Sequence, residues 1–196
     1  MTTEMTRRAL LTSATLGLAG VATAQDATTE SQDSVLVLGV SCSPRKGKTT
    51  ATSIAAALES AGKVNPRITT KLIDLGGMTI TGSDGASSPG GAAGVEDDFN
   101  KLLPLLQSPN LGGMIIGSPC YFRSMSSLCK AFLERLAILR KPELLLADLP
   151  VGALSVGAYR NGGQELVIEQ ILTVMLCHEC MLVGGKPRAH QGATLW

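Results

Sequence analysis

The sequence predicts an α/β chain built on a doubly wound parallel sheet with helices on both faces. Three observations lead there. From residue 34 onward, apolar runs of strand length alternate with segments of helical period. The first run, Val35–Val40, is continuously apolar, as in a strand buried on both faces. The segments after the first, third and fourth strands are rich in Gly, Ser, Thr and aromatics, at the carboxyl ends where such sheets bind ligands.

The elements follow in order. Lys48–Ala61 is Ala-rich and helical, closed by Gly62. Arg67–Leu75 alternates as a strand does, and Gly76–Gly94 is a Gly- and Ser-rich loop. Val95–Gln107 is expected to be helical, with Glu96, Asp97 and Asp98 in the first turn where the helix dipole favours acids. Pro104 should kink or shorten it. Gly112–Gly117 is the third strand. Ser124–Leu139 is an amphipathic helix, with Met125, Leu128, Cys129, Phe132, Leu136 and Leu139 on one face. Pro150–Val156, Gly163–Cys177 and Met181–Val183 complete the pattern as strand, apolar helix and short fifth strand.

With 44% apolar and 17% charged residues among 196, the chain is not a disordered one. Aromatics at 3% argue against a nucleic-acid stacking surface, and a net charge of +1 implies no polyanion partner. Arg7-Arg8 precede an uncharged, mildly apolar run that ends in Ala22-Thr23-Ala24, a small-residue cleavage pattern. The pair resembles a twin-arginine export signal, which predicts a periplasmic protein that crosses the membrane folded. Residues 1–24 are then the signal, 25–33 a polar linker, and 34–196 a single domain.

Three loops carry most of the chemistry. Ser41-Cys42-Ser43-Pro44-Arg45-Lys46-Gly47-Lys48-Thr49-Thr50 follows a buried strand and opens a helix, so hydroxyls, amides and Arg45 suit one phosphate. A P-loop is the rival reading, with Asp148 as the magnesium-binding acid. Cys42 stands where that motif needs Gly, however, and Asp148 precedes a strand instead of ending one. Gly117–Ser124 places Pro119, Tyr121 and Phe122 at a strand end, where aromatics can flank a planar ring. The glycines of 157–163 permit close backbone approach to a ligand.

Ser41–Thr50 resembles the S-x-S-P-R-x-x-x-x-T phosphate loop of the flavodoxin-like NAD(P)H-dependent FMN reductase family, including its iron–sulfur flavoprotein branch. Ser118–Arg135 and the Gly162-Gly163-Gln164-Glu165 element are similar to two further motifs of that family. The resemblance implies a flavodoxin-like five-stranded sheet of order 2-1-3-4-5, and FMN bound noncovalently. By position, Ser41, Ser43, Arg45, Thr49 and Thr50 would hold the phosphate. Pro119, Cys120, Tyr121, Phe122 and Ser124 would line the flavin and ribityl chain, and Gly157, Tyr159, Gly162 and Gly163 would approach the far side of the ring. Arg123 stands where relatives often have Gly. The iron–sulfur branch carries cluster cysteines after strand two; Gly76–Gly94 has none, so no cluster is expected.

The implied activity is transfer of electrons from NAD(P)H through FMN to a quinone, metal ion or other small acceptor, with no side chain cast as acid or base. An exported electron carrier is the alternative, and a degenerate P-loop binder the more distant one. Cys177-His178-Glu179-Cys180 is a lone C-x-x-C, read as buried thiols, with a disulfide or a metal as alternatives, and no metal site is assigned. His178 and His190 are expected at the surface. The helix Gly163–Cys177 has apolar residues on more than one face, which predicts a homodimer with the flavin near its interface.

Overall fold

The computed structural model describes residues 34–83, 97–185 and 192–196. The signal and linker lie outside the described residues. Its sheet is doubly wound, with β1 (Val35–Ser41), β2 (Ile68–Asp74), β3 (Leu111–Tyr121), β5 (Pro150–Val156) and β6 (Met181–Leu182) in the order β2-β1-β3-β5-β6. All four pairings are parallel. This is the flavodoxin-like order 2-1-3-4-5, with the short β6 in fifth place.

The side chains of β1, β3 and β5 divide between two cores, because alternate residues face opposite sides. Leu38, Val40, Met114, Ile116, Val151 and Ala153 pack beneath α3 (Ser127–Arg135) and α4 (Gln164–Leu176). On the other face Leu154 meets Ile54 and Leu58 of α1 (Thr49–Gly62), with Val37 and Ile115 against them. Beside α1 this face carries an open apolar groove of about 530 Å³, lined by Ile115, Ala153 and Leu154 among others.

Four expectations need correction. The helix placed at 95–107 is, among the described residues, a 3-10 turn at Phe99–Leu102 followed by one turn of helix, α2 (Leu103–Leu106). Pro104 sits in its first turn, where a missing N–H costs nothing. Asp97 and Asp98 do not serve a helix dipole; they reach back to Thr81 and Thr79. The third strand runs on to Tyr121 and turns into β4 (Ser124–Met125), so the following helix begins only at Ser127, capped by the Ser126 hydroxyl accepting the Cys129 amide. Leu136–Arg140 then continues it as a 3-10 turn. A further strand, β7 (Ala193–Leu195), pairs in parallel with Leu154–Val156, beyond the stretch of β5 that β6 covers. Finally, His178 is buried, and burial together with Arg140 holds its imidazole below the usual range. His190 lies outside the described residues.

Candidate functional site

The loop after β1 is fixed from three sides. The Cys42 amide donates to the Gly117 carbonyl at 2.8 Å, and the Ser126 hydroxyl donates to the Cys42 carbonyl at 2.7 Å. Asp74, at the end of β2, accepts the Gly47 amide at 2.7 Å and the Gly76 amide at 3.2 Å. Its carboxylate is thereby committed to holding the loop, which keeps it from opposing an anion.

Within that frame Ser41, Ser43 and Thr50 are buried, whereas Arg45 and Thr49 are exposed. The Ser43 hydroxyl accepts the Arg45 amide at 3.2 Å, which tightens the turn. Lys48 caps α1 without a side-chain bond, and the first helical bond is Thr52 N–H to the Lys48 carbonyl. The amides at the helix start therefore have no partner inside the helix. The Ser41 hydroxyl is buried and makes no hydrogen bond in the protein. An orphaned buried hydroxyl beside the unpaired first amides of α1 and an exposed arginine fits a phosphate monoester.

The ring side is built by the β3–β4 hairpin and by residues 157–163. Phe122 and Arg123 form the two-residue turn, with φ of 51° and 65°. Such a turn favours Asn-Gly, so two bulky residues there hold backbone strain, a feature that concentrates at ligand sites. Phe122 is fully exposed at the tip, while Pro119 is buried in the strand, paired with Val156. The Ser124 hydroxyl and the Met125 amide both go to Gln170 Oε1, at 3.0 and 3.2 Å, tying the hairpin to α4.

The hairpin meets the third loop directly. The Cys120 thiol donates to the Gly162 carbonyl at 3.1 Å. Gly163, with φ of 96°, lets Arg123 lie against it: a Cβ there would stand 3.1 Å from the Arg123 Cα. Tyr159 is exposed, and Gly157 and Gly162 are half-buried. The three loops singled out in the sequence thus adjoin at one end of the sheet. Asp148 is exposed beside the start of β5, at the opposite end from the phosphate loop, which removes the P-loop reading.

Three contributors were given no role by the sequence reading, although Gln164 lies in the Gly162–Glu165 motif and Arg160 in the loop before it. The Leu195 carbonyl of β7 accepts the Gly157 amide at 2.9 Å and the Gln164 side-chain amide at 3.2 Å. Gln164 is fully buried and also donates to the Tyr159 carbonyl at 2.6 Å. Arg160 stacks on Trp196, its guanidinium 5.6 Å from the ring centre. Asp74 was identifiable only as an acid at a strand end.

The cysteines are separate. Cys180 is buried with its thiol on the Leu146 carbonyl, and burial pushes it up to about 11, while Cys177 is exposed. Burial also raises the Cys42 thiol, with Cys129 beside it. Raised thiols in apolar surroundings are inert packing groups.

A monophosphate seat beside a mouth ringed with aromatics is what a flavodoxin-like FMN protein requires. The chain belongs to the NADPH-dependent FMN reductase family, whose profile matches residues 35–193. It is 34% identical over 161 residues to an iron-sulfur flavoprotein of Methanocaldococcus jannaschii, covering 81% of each chain. It is 31% identical over 160 residues to an iron-sulfur flavoprotein of Methanosarcina thermophila, covering 82% of each. In fold it is similar to an apo NADH:FMN oxidoreductase, with a TM-score of 0.59 at 18% identity, over 83% of this chain and 76% of that one. The protein is an FMN-dependent oxidoreductase. The cluster in those relatives' names does not fit here: the sequence has no cysteine between Cys42 and Cys120, and no step is derived through such a cluster.

Proposed function

We propose that the protein takes electrons from NAD(P)H into FMN and passes them to a small-molecule acceptor at the end of the sheet where the β3–β4 hairpin and residues 157–163 adjoin. The orphaned buried Ser41 hydroxyl in the phosphate loop carries this reading, because a phosphate seated there supplies the missing partner and leaves the ring end of FMN for the adjoining loops. Bound FMN supplies the redox chemistry, accepting a hydride and returning the electrons to the acceptor. The chain's own work is to seat the phosphate through Ser41, Ser43, Arg45, Thr49 and Thr50, and to leave one face of the ring open. Anaerobic NADPH added to the FMN-loaded protein should bleach the flavin band, and a quinone should restore it. A flavin that stays oxidised in excess NADPH and NADH would make this chain an electron carrier served by another protein.

The phosphate assignment has its own test. Replacing Arg45 by Ala removes a charge-assisted hydrogen bond and should weaken FMN binding by roughly 1.5–3 kcal/mol. Flavin fluorescence quenching measures it, and an unchanged dissociation constant would move the phosphate elsewhere.

Export through the twin-arginine route is the second element of the proposal, resting on Arg7-Arg8 and the small-residue pattern at 22–24. A route that carries folded proteins allows FMN to be loaded first. Arg7→Lys with Arg8→Lys should retain the precursor in the cytoplasm with FMN bound; a periplasmic product from that variant would reject the route.

The third element is a homodimer through α4. Its Val167, Ile168, Ile171 and Met175 are buried within the chain, and Leu172 and Val174 pack against the same core. Leu166 and Leu176 remain exposed, as do Met181, Leu182 and Val183 at the sheet edge. Exposed apolar residues on α4 and the neighbouring edge favour a self-complementary contact. Sedimentation at micromolar concentration should give twice the chain mass, and a single species of chain mass would refute the dimer.

A further inference from the structure

The sequence holds six aromatic residues, and the structure divides them sharply. Phe99 and Phe132 are buried together, ring centres 6.1 Å apart. Tyr121, Phe122, Tyr159 and Trp196 are 40%, 104%, 78% and 69% exposed, and all four lie on the hairpin, the 157–163 loop and the end of β7. A chain this poor in aromatics leaves most of them in water around one opening, which fits a planar ligand.

The charges at the same opening are one-sided. Arg123 abuts Gly163 and Arg160 lies three residues before it, so both belong to the ring side and not to the phosphate loop. Both are exposed, and neither pairs with a carboxylate among the described residues. Glu165, the acid nearest in sequence, makes no ion pair with either. Arg160 lies over the Trp196 ring, its guanidinium carbon 5.6 Å from the ring centre. Two exposed arginines with no ion pair among the described residues, beside exposed rings, suit an anion carried on a planar group.

We propose that the acceptor is a planar aromatic compound bearing an anionic substituent such as a carboxylate or sulfonate, its ring among the mouth aromatics and its charge on Arg123 and Arg160. This rests on the flavin reading above. In the reaction a quinone acceptor takes a hydride from reduced FMN and one proton from water, leaving as the hydroquinone with the flavin reoxidised.

The test compares 1,4-naphthoquinone with its 2-sulfonate on the FMN-loaded full chain, in the wild type and in Arg123→Gln and Arg160→Gln. Two quantities are read: the ratio of kcat/KM for the two acceptors at saturating NADPH, and their dissociation constants from the oxidised protein by fluorescence of Trp196, the single tryptophan. The wild type should prefer the sulfonate by about tenfold or more at low salt, as for a charge-assisted contact. High salt should shrink that preference, and each arginine variant should bring the ratio toward one. A wild-type ratio near one, or a preference that survives in both variants, overturns the proposal. So does a raised KM for NADPH with the acceptor ratio unchanged, which assigns the arginines to the donor. If NADPH does not reduce the flavin at all, the donor reading fails separately, and the dissociation constants alone decide the acceptor.

Discussion

Replacing Asp97 by Ala should destabilise the protein by about 3–5 kcal/mol, the range for removing one partner of a buried ion pair. Asp97 and Arg135 meet at 2.5 Å with side chains only 10% and 3% exposed. The carboxylate also accepts the Thr81 hydroxyl at 2.6 Å, the Thr81 amide at 2.9 Å and the Phe99 amide at 2.7 Å. Arg135 in turn lies 4.7 Å over the Phe99 ring. Without the carboxylate, the guanidinium would stay buried beside that ring and lose its ion pair with Asp97. The pair joins the segments on both sides of residues 84–96 to α3, so its loss should loosen that edge of the sheet first.

The sign of the pH dependence follows. Burial raises the Asp97 carboxyl, but the bonds from Thr81, Phe99 and Arg135 outweigh burial and hold it below the ordinary value. A depressed acid contributes its full stabilisation above the unfolded carboxyl value of about 4 and loses it as pH falls through the lower folded value. Urea unfolding should therefore separate wild type and Asp97→Ala widely at neutral pH and less in acid. A gap that does not narrow in acid would show that the carboxylate charge is not what matters. Arg135→Met with Asp97→Leu should recover much of the loss, because no buried charge is then left alone.

What the sequence made legible was what depends on short-range pattern. The succession of strands and helices and the burial of β1 follow from apolar period, whereas the spatial order of the strands came with the family resemblance. The failures share a cause in long-range pairing. Asp97 read as a helix-dipole residue because its partners Thr81 and Arg135 lie 16 and 38 positions away, and Asp98 because Thr79 lies 19 positions away. The β3–β4 turn was invisible because Phe-Arg is not a sequence that advertises positive φ. His178 read as surface by residue type, yet it is buried. At the site, Ser41 and Arg45 were legible from local spacing, whereas Leu195 reaches Gln164 across 31 positions and had no local mark.

That last contact underlies the second large effect. Replacing Gly192 by Ala should cost about 3 kcal/mol and weaken FMN binding. Gly192 sits at φ of 146°, and a Cβ on it would stand 2.2 Å from the Ala153 carbonyl oxygen, a backbone atom that cannot turn aside. The strain of that backbone region is about 1–3 kcal/mol for a residue with a side chain, and the overlap comes on top of it. The relief available is to lift β7 from β5. Lifting it takes the Leu195 carbonyl from the Gly157 amide and from Gln164, whose buried amide then loses one of its two acceptors. An unpaired buried donor costs about 1–3 kcal/mol, so both routes reach a similar figure. The 157–163 loop would lose its support along with Trp196, which makes the flavin side of the site suffer together with stability. Gly77→Ala is the control: its φ of 82° carries similar strain, but nothing lies within 4 Å of the added methyl. If Gly192→Ala unfolds in urea no earlier than Gly77→Ala and binds FMN as the wild type does, β7 is not a structural part of the flavin mouth.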